Sequence, residues 1–403
     1  MPATVTTTSG ASVYSHGAEM SINGKAYIVG AFEHPDRVIP DRSVAQVHAE
    51  NTVGVLADAG LELSDIDGLF CVGGGGMLPI AMADYLGLNK LRYLDGTAVG
   101  GSSPVYHIGH AATAIAMGKC RTALITLANR PRSEQAPRSV NTSPESSFEL
   151  VYGTSTLGMY ALAAQRHMYE FGTTSEQLAW VKVAASEHAQ QNPHALLQKP
   201  VTVEDVLNSP MLSDPLHRLD CCVVTDGGGA VIVASPDVAR QIKRPKVKIM
   251  GHGEAPKHTD NGRIDLTYTG ARWSGPRAFE EAGCAPGDID YASIYDSFTI
   301  TVVETLEDLG FCEKGNGGQF VADGGLRARG GRLPVNTDGG GLCNNHPGMG
   351  GMMKVLEGVR QIRGEAHPAV QVPDCQLALV HGTGGSLGTR MASATLILGT
   401  EDA

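Results

Sequence analysis

The sequence predicts an α/β fold of two duplicated halves, and three observations carry this prediction. A gap-free internal repeat aligns residues 58–67 with residues 281–290. Apolar runs of strand length alternate with helix-like stretches twice along the chain, and the runs are apolar on both faces, as strands buried between helical layers require. Glycine is frequent, at 51 residues, whereas aromatic residues make up only 5%, which is typical of tight turns and close packing of helices on sheets.

The repeat defines the first elements of each half. Both copies have the pattern of a helix that ends at glycine, a short loop, and an Asp-Ile-Asp segment that leads into a strand. We predict these strands at residues 68–72 and 291–295. A second pair follows in the same order, because residues 119–125 resemble residues 374–380. Two matched pairs in order favour duplication over chance similarity.

The remaining elements complete the two halves. Helix-like stretches at residues 107–117 and 352–362 precede the second strand pair, and a third strand pair covers residues 229–234 and 392–398. We therefore expect a mobile N-terminal tail and two α/β halves. Their expected limits are residues 1–22 for the tail, 23–250 for the first half and 251–403 for the second half.

Residues 129–220 do not fit the repeat. Helical patterns at residues 155–171 and 175–191 are separated by Gly172, and an Arg-, Pro- and Ser-rich stretch precedes them. Because binding residues concentrate in segments inserted between scaffold elements, we predict a substrate-binding subdomain here.

The composition excludes several classes of function. The formal net charge of −11 disfavours nucleic acid and anionic membrane surfaces as partners, although helix N-termini can still bind a phosphate-bearing ligand. No apolar run is long enough to span a membrane, and the N-terminus lacks the pattern of a secretory signal. The eight cysteines show neither CxxC pairs nor zinc-ligand spacing, so we expect no metal site and buried thiols in a reducing cytoplasm.

Two glycine-rich segments offer free backbone amides. Gly101 and Ser102 open the helix after residue 102, where amides can hold a phosphate or a thioester oxygen; simple helix capping is the alternative. His381 follows a predicted strand and precedes Gly384 and Gly385, whose amides can form an oxyanion hole. A strand-end histidine in a tight turn is the alternative for His381.

Two further residues are candidates for acid–base chemistry. His346 lies in the glycine-rich turn of residues 339–351, directly before a predicted helix, where an imidazole is well placed to transfer protons. Tyr295 ends a repeat strand and can donate a proton or stabilise an enolate. A structural histidine and an ordinary strand-end aromatic residue are the respective alternatives.

These segments resemble motifs of the thiolase superfamily, specifically the sterol-carrier-protein-type thiolases or lipid-transfer proteins, over residues 25–400. Residues 214–230 resemble the LT..QCCPTSDGAAA passage of that group, and residues 295–298 stand where it carries HDxF. His346-Pro347 resembles the GHPxGxxG motif of thiolases, and residues 381–385 stand in the place of the last catalytic loop of that family. The resemblance implies a five-layer α-β-α-β-α sandwich, a homodimer, and coenzyme A as part of the substrate with no covalently bound cofactor.

The nucleophilic cysteine of thiolases is missing. Aligning Gly101-Ser102 with the C-x-x-G-S motif places Ala98 at the cysteine position, and alanine cannot carry an acyl group. In this respect the chain resembles the steroid side-chain aldolases of the family, which implies retro-aldol cleavage of a β-hydroxyacyl-CoA. Tyr295 and His346 would then be the acid–base pair, and His381 with the amides of Gly384 and Gly385 would hold the thioester oxygen. The same resemblance implies a small partner protein with an OB fold and a zinc ribbon.

Two other functions stay open at this point. One is Claisen acyl transfer with a different nucleophile, for which Cys343 and Ser102 are the candidates. The other is a non-catalytic subunit that carries acyl-CoA or lipid. The residues Tyr295, His346 and His381 together favour an enzyme over a carrier.

Overall fold

A computed structural model gives the structure of most of the chain. It describes residues 21–134, 148, 150–153, 155–258, 263–385 and 391–403. The predicted N-terminal tail lies outside the described residues up to residue 20. At the expected end of this tail, Ile22 is buried, and its backbone N–H donates to Glu281 Oε1 at 3.0 Å.

The strands form one large mixed sheet and a separate hairpin. The sheet contains nine strands in the order β3-β2-β4-β7-β1-β8-β11-β10-β9, and β5 pairs with β6. The strands are β1 (Tyr27–Glu33), β2 (Gly68–Phe70), β3 (Tyr93–Asp95), β4 (Thr122–Asn129), β5 (Met211–Ser213), β6 (Leu216–His217), β7 (Gly227–Ala234), β8 (Val247–Lys257), β9 (Tyr291–Ile294), β10 (Leu377–Gly385) and β11 (Met391–Gly399).

Helices alternate with these strands along the described chain. The α-helices are α1 (Val44–Ala59), α2 (Pro79–Tyr85), α3 (Ser103–Ala116), α4 (Pro131–Glu134), α5 (Thr156–Phe171), α6 (Ser175–Ala189), α7 (Val203–Leu207), α8 (Pro236–Ala239), α9 (Ala271–Ala282), α10 (Thr299–Asp308), α11 (Gly317–Val321) and α12 (Gly351–Arg363). All predicted strands and helices are found, with ends shifted by a few residues. No helix of the described residues is both long and apolar enough to cross a membrane.

The sheet has the same topology in its two halves. In the first, β2 runs parallel to β4, and β4, β7 and β1 follow in antiparallel pairs. In the second, β9 runs parallel to β10, and β10, β11 and β8 follow in the same way. A short antiparallel pairing of β1 with β8 joins the halves edge to edge.

The repeated Asp-Ile-Asp segment has a structural cause in both halves. The Asp67 carboxylate accepts the backbone N–H of Thr122 at 2.8 Å, at the start of β4. The Asp290 carboxylate accepts the backbone N–H of Leu377 at 2.9 Å, at the start of β10. Each aspartate therefore fixes the register of two parallel strands by satisfying an otherwise free amide.

The helices sandwich the two halves of the sheet. Helices α3 and α12 pack on each other and contact strands of both halves, whereas α1 packs on the outer face of the first half and α9 on that of the second. Buried apolar residues accordingly form three large clusters, one on each outer face and one around α3 and α12. This arrangement gives the five layers of the predicted fold.

The inserted segment packs on the second half. Helices α5 and α6 are separated at Gly172, whose φ of +73° ends α5. Helix α6 contacts α10 and a π-helical turn, Gly340–Asn344. The expected division of the chain at residue 250 falls inside β8, which pairs with β1 on one side and with β11 on the other. The domain limits therefore stay a prediction.

Candidate active site

Tyr295 and His346 lie in direct contact. Tyr295 directly follows β9, and its Oη is 3.0 Å from Nε2 of His346. The backbone N–H of Gly350 donates to the same Oη at 3.1 Å. The two rings meet edge to face, with an angle of 83° between their planes. Residues that are 51 positions apart in the sequence are thus brought together as a hydrogen-bonded pair.

Burial keeps both groups of this pair uncharged at neutral pH. It raises the pKa of Tyr295 far above the usual value and lowers the pKa of His346 to about 4, because a low-dielectric surrounding disfavours charged forms. The tyrosine therefore has a proton to donate, and Nε2 of the neutral imidazole can accept it. The pair is therefore suited to transfer a proton between Tyr295 Oη and His346 Nε2.

Asp296 organises the turn that carries His346. Its carboxylate accepts the backbone N–H of Gly341 at 2.8 Å and that of Leu342 at 3.2 Å, and it lies 2.8 Å from Nζ of Lys354. A Cβ at Gly340 would lie 2.1 Å from this carboxylate, and the φ of Gly340 is +61°. Only glycine fits there without strain. Asp296 and Lys354 were not predicted as site residues, although Asp296 stands in the Tyr-Asp-Ser-Phe segment.

The segment before β7 supports the other side of the His346 turn. The hydroxyl of Thr225 accepts the backbone N–H of His346 at 2.8 Å and donates to the side chain of Asn345 at 2.7 Å. The amide group of Asn345 in turn donates to Glu33 at 3.2 Å. The stretch of residues 214–230, which carries the family motif, therefore contributes to the site because its Thr225 positions His346.

The loop that opens α3 borders Tyr295. A Cβ added at Gly101 would lie 2.2 Å from Tyr295 Oη. Only a residue without a side chain therefore leaves room for the tyrosine hydroxyl. Ser102 is buried and its hydroxyl donates to the carbonyl oxygen of Val99 at 3.1 Å. Ala98 is exposed. The predicted substrate-binding residues of this loop thus lie beside the pair, with Ser102 engaged in an internal hydrogen bond.

The structure does not bring His381 to this pair. Its Nδ1 is 2.9 Å from the hydroxyl of Thr395, which is bonded to Ser274 of the outer helix α9. The next residue, Gly382, faces Ser102 of the central layer. Because neighbouring residues of a strand point to opposite faces, the side chain of His381 points away from Tyr295. Burial lowers the pKa of His381 to about 3, and the direction of its side chain argues against the predicted contact with the thioester oxygen.

Gly384 and Gly385, at the end of β10, do approach the loop that opens α3. The carbonyl oxygen of Val99 would lie only 1.6 Å from a Cβ at Gly384, and the backbone nitrogen of Gly385 lies beside Gly100. Gly385 has a φ of +81°. The close approach of Val99 requires glycine at position 384, and the positive φ favours glycine at position 385. This end of β10 and residues 99–101 therefore form one wall beside Tyr295.

None of the cysteine thiols is activated. Burial raises the pKa of every one of the eight thiols, to about 12 for Cys222 next to Asp296. Cys343 is fully buried, and its sulfur lies 3.2 Å from Nζ of Lys182. A nucleophilic cysteine needs a lowered pKa and access to its substrate, so Cys343 is a poor candidate for acyl transfer.

Two cavities found among the described residues lie away from this pair. The two cavities, of about 380 Å³ each, are lined by other residues, and neither includes Tyr295 or His346. Within the described ranges, no group of three or more His, Cys, Asp or Glu side chains is arranged to hold a metal ion. The candidate site is therefore defined by the geometry of its side chains.

The fold and the site together define a thiolase-like α/β protein, and comparison with known proteins gives the family. Residues 253–400 match the family model described as thiolase C-terminal domain-like. An acetyl-CoA acetyltransferase of Methanothermobacter thermautotrophicus is 35% identical over 87% of this chain and 93% of its own. A steroid side-chain-cleaving aldolase of Thermomonospora curvata is 34% identical over 89% of this chain and 94% of its own.

A solved structure agrees with these relatives. The structure described as the Ltp2-ChsH2(DUF35) aldolase matches with a TM-score of 0.85 and 33% identity, over 94% of this chain and 99% of that one. This chain belongs to the thiolase superfamily, in the group that contains the sterol-carrier-protein-type thiolases and the steroid side-chain-cleaving aldolases.

Proposed function

We propose that this protein cleaves a β-hydroxyacyl-CoA thioester by a retro-aldol reaction. The observation that carries the proposal is the 3.0 Å contact of Tyr295 Oη with His346 Nε2, beside a loop with alanine at the position of the thiolase cysteine. Breaking the Cα–Cβ bond of a β-hydroxy thioester requires a base, an acid and a site for an enolate oxygen. It requires no covalent acyl-enzyme.

In this mechanism one proton moves through the pair and back. Tyr295 accepts the proton of the substrate hydroxyl as it passes its own proton to His346. The Cα–Cβ bond then breaks, and the former carbinol carbon leaves as a ketone or an aldehyde. The proton returns through Tyr295 to Cα of the thioester enolate and gives the shortened acyl-CoA. We assign the enolate oxygen to the backbone amides of Gly384 and Gly385.

Substitution of each member of the pair tests the assignment. Tyr295→Phe and His346→Ala should each lower turnover by at least ~100-fold, the usual contribution of one acid–base group. Mass spectrometry would quantify the shortened acyl-CoA and the carbonyl product. Tyr291→Phe is the matched control, because it removes a buried tyrosine hydroxyl from β9, four residues before Tyr295. Wild-type rates in both active-site variants would refute the mechanism.

The names of relatives suggest the substrate and the partner. We propose an acyl-CoA derived from a steroid side chain as substrate, and a homodimer that works with a small OB-fold and zinc-ribbon protein of the DUF35 type. The test compares turnover of the chain alone with turnover after co-expression with such a partner. Co-purification and a rise in turnover support the partner. Full activity of the chain alone, with no co-purification, contradicts it.

Claisen acyl transfer is the second candidate, because one relative is named as an acetyltransferase. It requires an acyl-enzyme, and mass spectrometry after mixing with an acyl-CoA would detect this adduct on Cys343 or Ser102. We expect no adduct, because burial raises the pKa of the Cys343 thiol and Ser102 donates its hydroxyl to Val99. A carrier without catalysis would bind acyl-CoA tightly and release no carbonyl product.

A further inference from the structure

His110 of α3 lies between two carboxylates. Its Nδ1 is 2.7 Å from Oδ2 of Asp95, and its Nε2 is 2.7 Å from Oε1 of Glu254. Asp95 ends β3 in the first half of the sheet, whereas Glu254 lies on β8 in the second half. One imidazole ring therefore joins the two halves, and we name these three residues the His110 bridge.

The geometry of the His110 bridge fixes its charge. An ionised carboxylate can only accept hydrogen bonds, so both ring nitrogens must carry a proton and the ring is an imidazolium. Hydrogen bonds to Asp95 and Glu254 raise the pKa of His110 to about 9. The ring and both carboxylates are only partly exposed, so solvent screens the bridge incompletely.

The other ionisable groups around His110 leave it as the cation between the two carboxylates. Burial lowers the pKa values of His107 and His252 to about 4, so both are neutral at pH 7. Burial raises the pKa of Tyr106 to about 12, so it is neutral too. The guanidinium of Arg277 donates to the backbone carbonyl of Glu254, which leaves the Glu254 carboxylate facing His110.

The His110 bridge holds the start of the loop that precedes α3, residues 96–101. The second carboxylate oxygen of Asp95 accepts both the backbone N–H and the hydroxyl of Thr97 at 2.8 Å. Nε2 of His107 lies 3.0 Å from the carbonyl oxygen of Thr97. Thr97 directly precedes Ala98, and three residues further on Gly101 borders Tyr295 Oη.

We propose that His110 is a positioning residue of the active site, whose imidazolium holds residues 96–101 against Tyr295 and the glycine end of β10. Its kinetic test rests on the lyase function proposed above, whereas its structural test does not. A neutral imidazole can donate to only one of the two carboxylates. Deprotonation of His110 should therefore break its hydrogen bond to one of the two carboxylates. The contact between the two halves is then lost at this point, and residues 96–101 should become more mobile.

The kinetic test is the pH profile of kcat. Wild-type kcat should fall above pH ~9 as His110 loses its proton. His110→Gln should lower kcat ~10-fold to 100-fold with a smaller change in KM, because the loop sets the position of a reacting group, and the fall near pH 9 should disappear. Glu254→Gln leaves one carboxylate, so the fall should move to lower pH. This second variant keeps the test decisive if His110→Gln does not fold.

Arg244→Gln is the matched control. Arg244 also lies between two carboxylates from different parts of the chain, Asp58 and Glu365, but it has no contact with the loop. This variant should keep the wild-type kcat and the wild-type fall near pH 9. An equal loss of kcat in the Arg244 variant would mean that any cation between the halves has this effect, and the positioning role would be refuted.

Hydrogen–deuterium exchange tests the bridge without substrate. The peptide that covers residues 96–101 should exchange faster in His110→Gln than in the wild type and in Arg244→Gln. Faster exchange in a protein without lyase activity supports the bridge and refutes the proposed function. Unchanged exchange together with an unchanged pH profile refutes the bridge, whatever the reaction is.

Discussion

At the scale of single residues, a buried ion pair supports the proposed acid–base pair. Asp296 lies beside Tyr295 in the sequence and holds the His346 turn through two backbone amides and Lys354. Burial lowers the pKa of Lys354, but the carboxylates of Asp296, Asp338 and Glu357 together outweigh burial and raise the pKa above its usual value. The lysine is therefore charged, and it balances a carboxylate that is only 1% exposed.

Removal of the lysine should be costly. Lys354→Met leaves the Asp296 carboxylate buried without its cation, which typically costs about 3–5 kcal/mol of unfolding free energy. Urea denaturation would measure this loss. The double variant with Asp296→Asn should recover part of it, because the unpaired charge is gone. A loss below ~1 kcal/mol in Lys354→Met would contradict the role of this ion pair.

Single residues of the candidate site also show what the sequence can predict and what it cannot. Residue type and position at strand and turn ends made Tyr295 and His346 candidates, and the resemblance to the steroid side-chain aldolases predicted that they act as a pair. His381 was misplaced because its glycine-rich surroundings suggested a turn after Val380, whereas β10 continues to Gly385. Only the strand assignment determines to which face a side chain points, because one residue of shift exchanges the faces.

At the scale of elements, the loop before α3 depends on the absence of a side chain. A Cβ at Gly101 would lie 2.2 Å from Tyr295 Oη and 2.5 Å from the carbonyl oxygen of Thr383. The loop, the tyrosine and β10 can therefore keep their present distance only with glycine at this position.

Gly101→Ala should separate these elements. We expect a loss of about 1–3 kcal/mol of unfolding free energy from overpacking and a fall in kcat of up to ~100-fold from displacement of Tyr295. Gly287→Ala is the matched control, because a Cβ there meets nothing within 4 Å. Steady-state kinetics and urea denaturation of both variants check the prediction. Wild-type kcat in Gly101→Ala would show that Tyr295 does not depend on this contact.

The repeat predicted most strands but not the connection between the halves. Strands that follow Asp67 and Asp290 were found because a local sequence pattern marks them. Strands β1 and β8 carry no such pattern, and their pairing joins residues that are far apart in the sequence, such as Tyr27 and Lys248. Pairing over such distances depends on packing of the complete halves and leaves no local signal.

At the scale of the whole molecule, buried charges link the two halves. Arg37 donates to Asn344 at 2.8 Å, and Arg360 lies 3.1 Å from Glu33. Burial raises the pKa of Glu33, but Arg37 and Arg360 outweigh burial and lower it to about 2. Because the folded pKa is lower than the unfolded one of about 4.5, this contribution to stability is present above pH ~4.5 and is lost as the pH falls towards 2.

Buried histidines should determine the acid limit of stability. Burial lowers the pKa of five histidines to about 3 or 4, whereas the unfolded value is about 6.5. These residues are His48, His107, His252, His346 and His381. Unfolding at pH 5 should therefore take up roughly four to five protons, so the free energy of unfolding should fall steeply between pH ~6.5 and ~4.

His110 should act in the opposite direction on the alkaline side. Its folded pKa of about 9 is above the unfolded value, so its contribution is complete below pH ~6.5 and is lost as the pH rises through 9. One proton is involved there, against several on the acid side, so the loss should be shallower.

The free energy of unfolding, measured in urea at pH 5, 7 and 9.5, should thus be highest near pH 7. His48→Gln should reduce the acid slope by about one proton, because His48 is buried and its Nδ1 is hydrogen-bonded to the uncharged hydroxyl of Thr126. Equal stability at pH 5 and pH 7 would contradict a native state that buries these histidines uncharged.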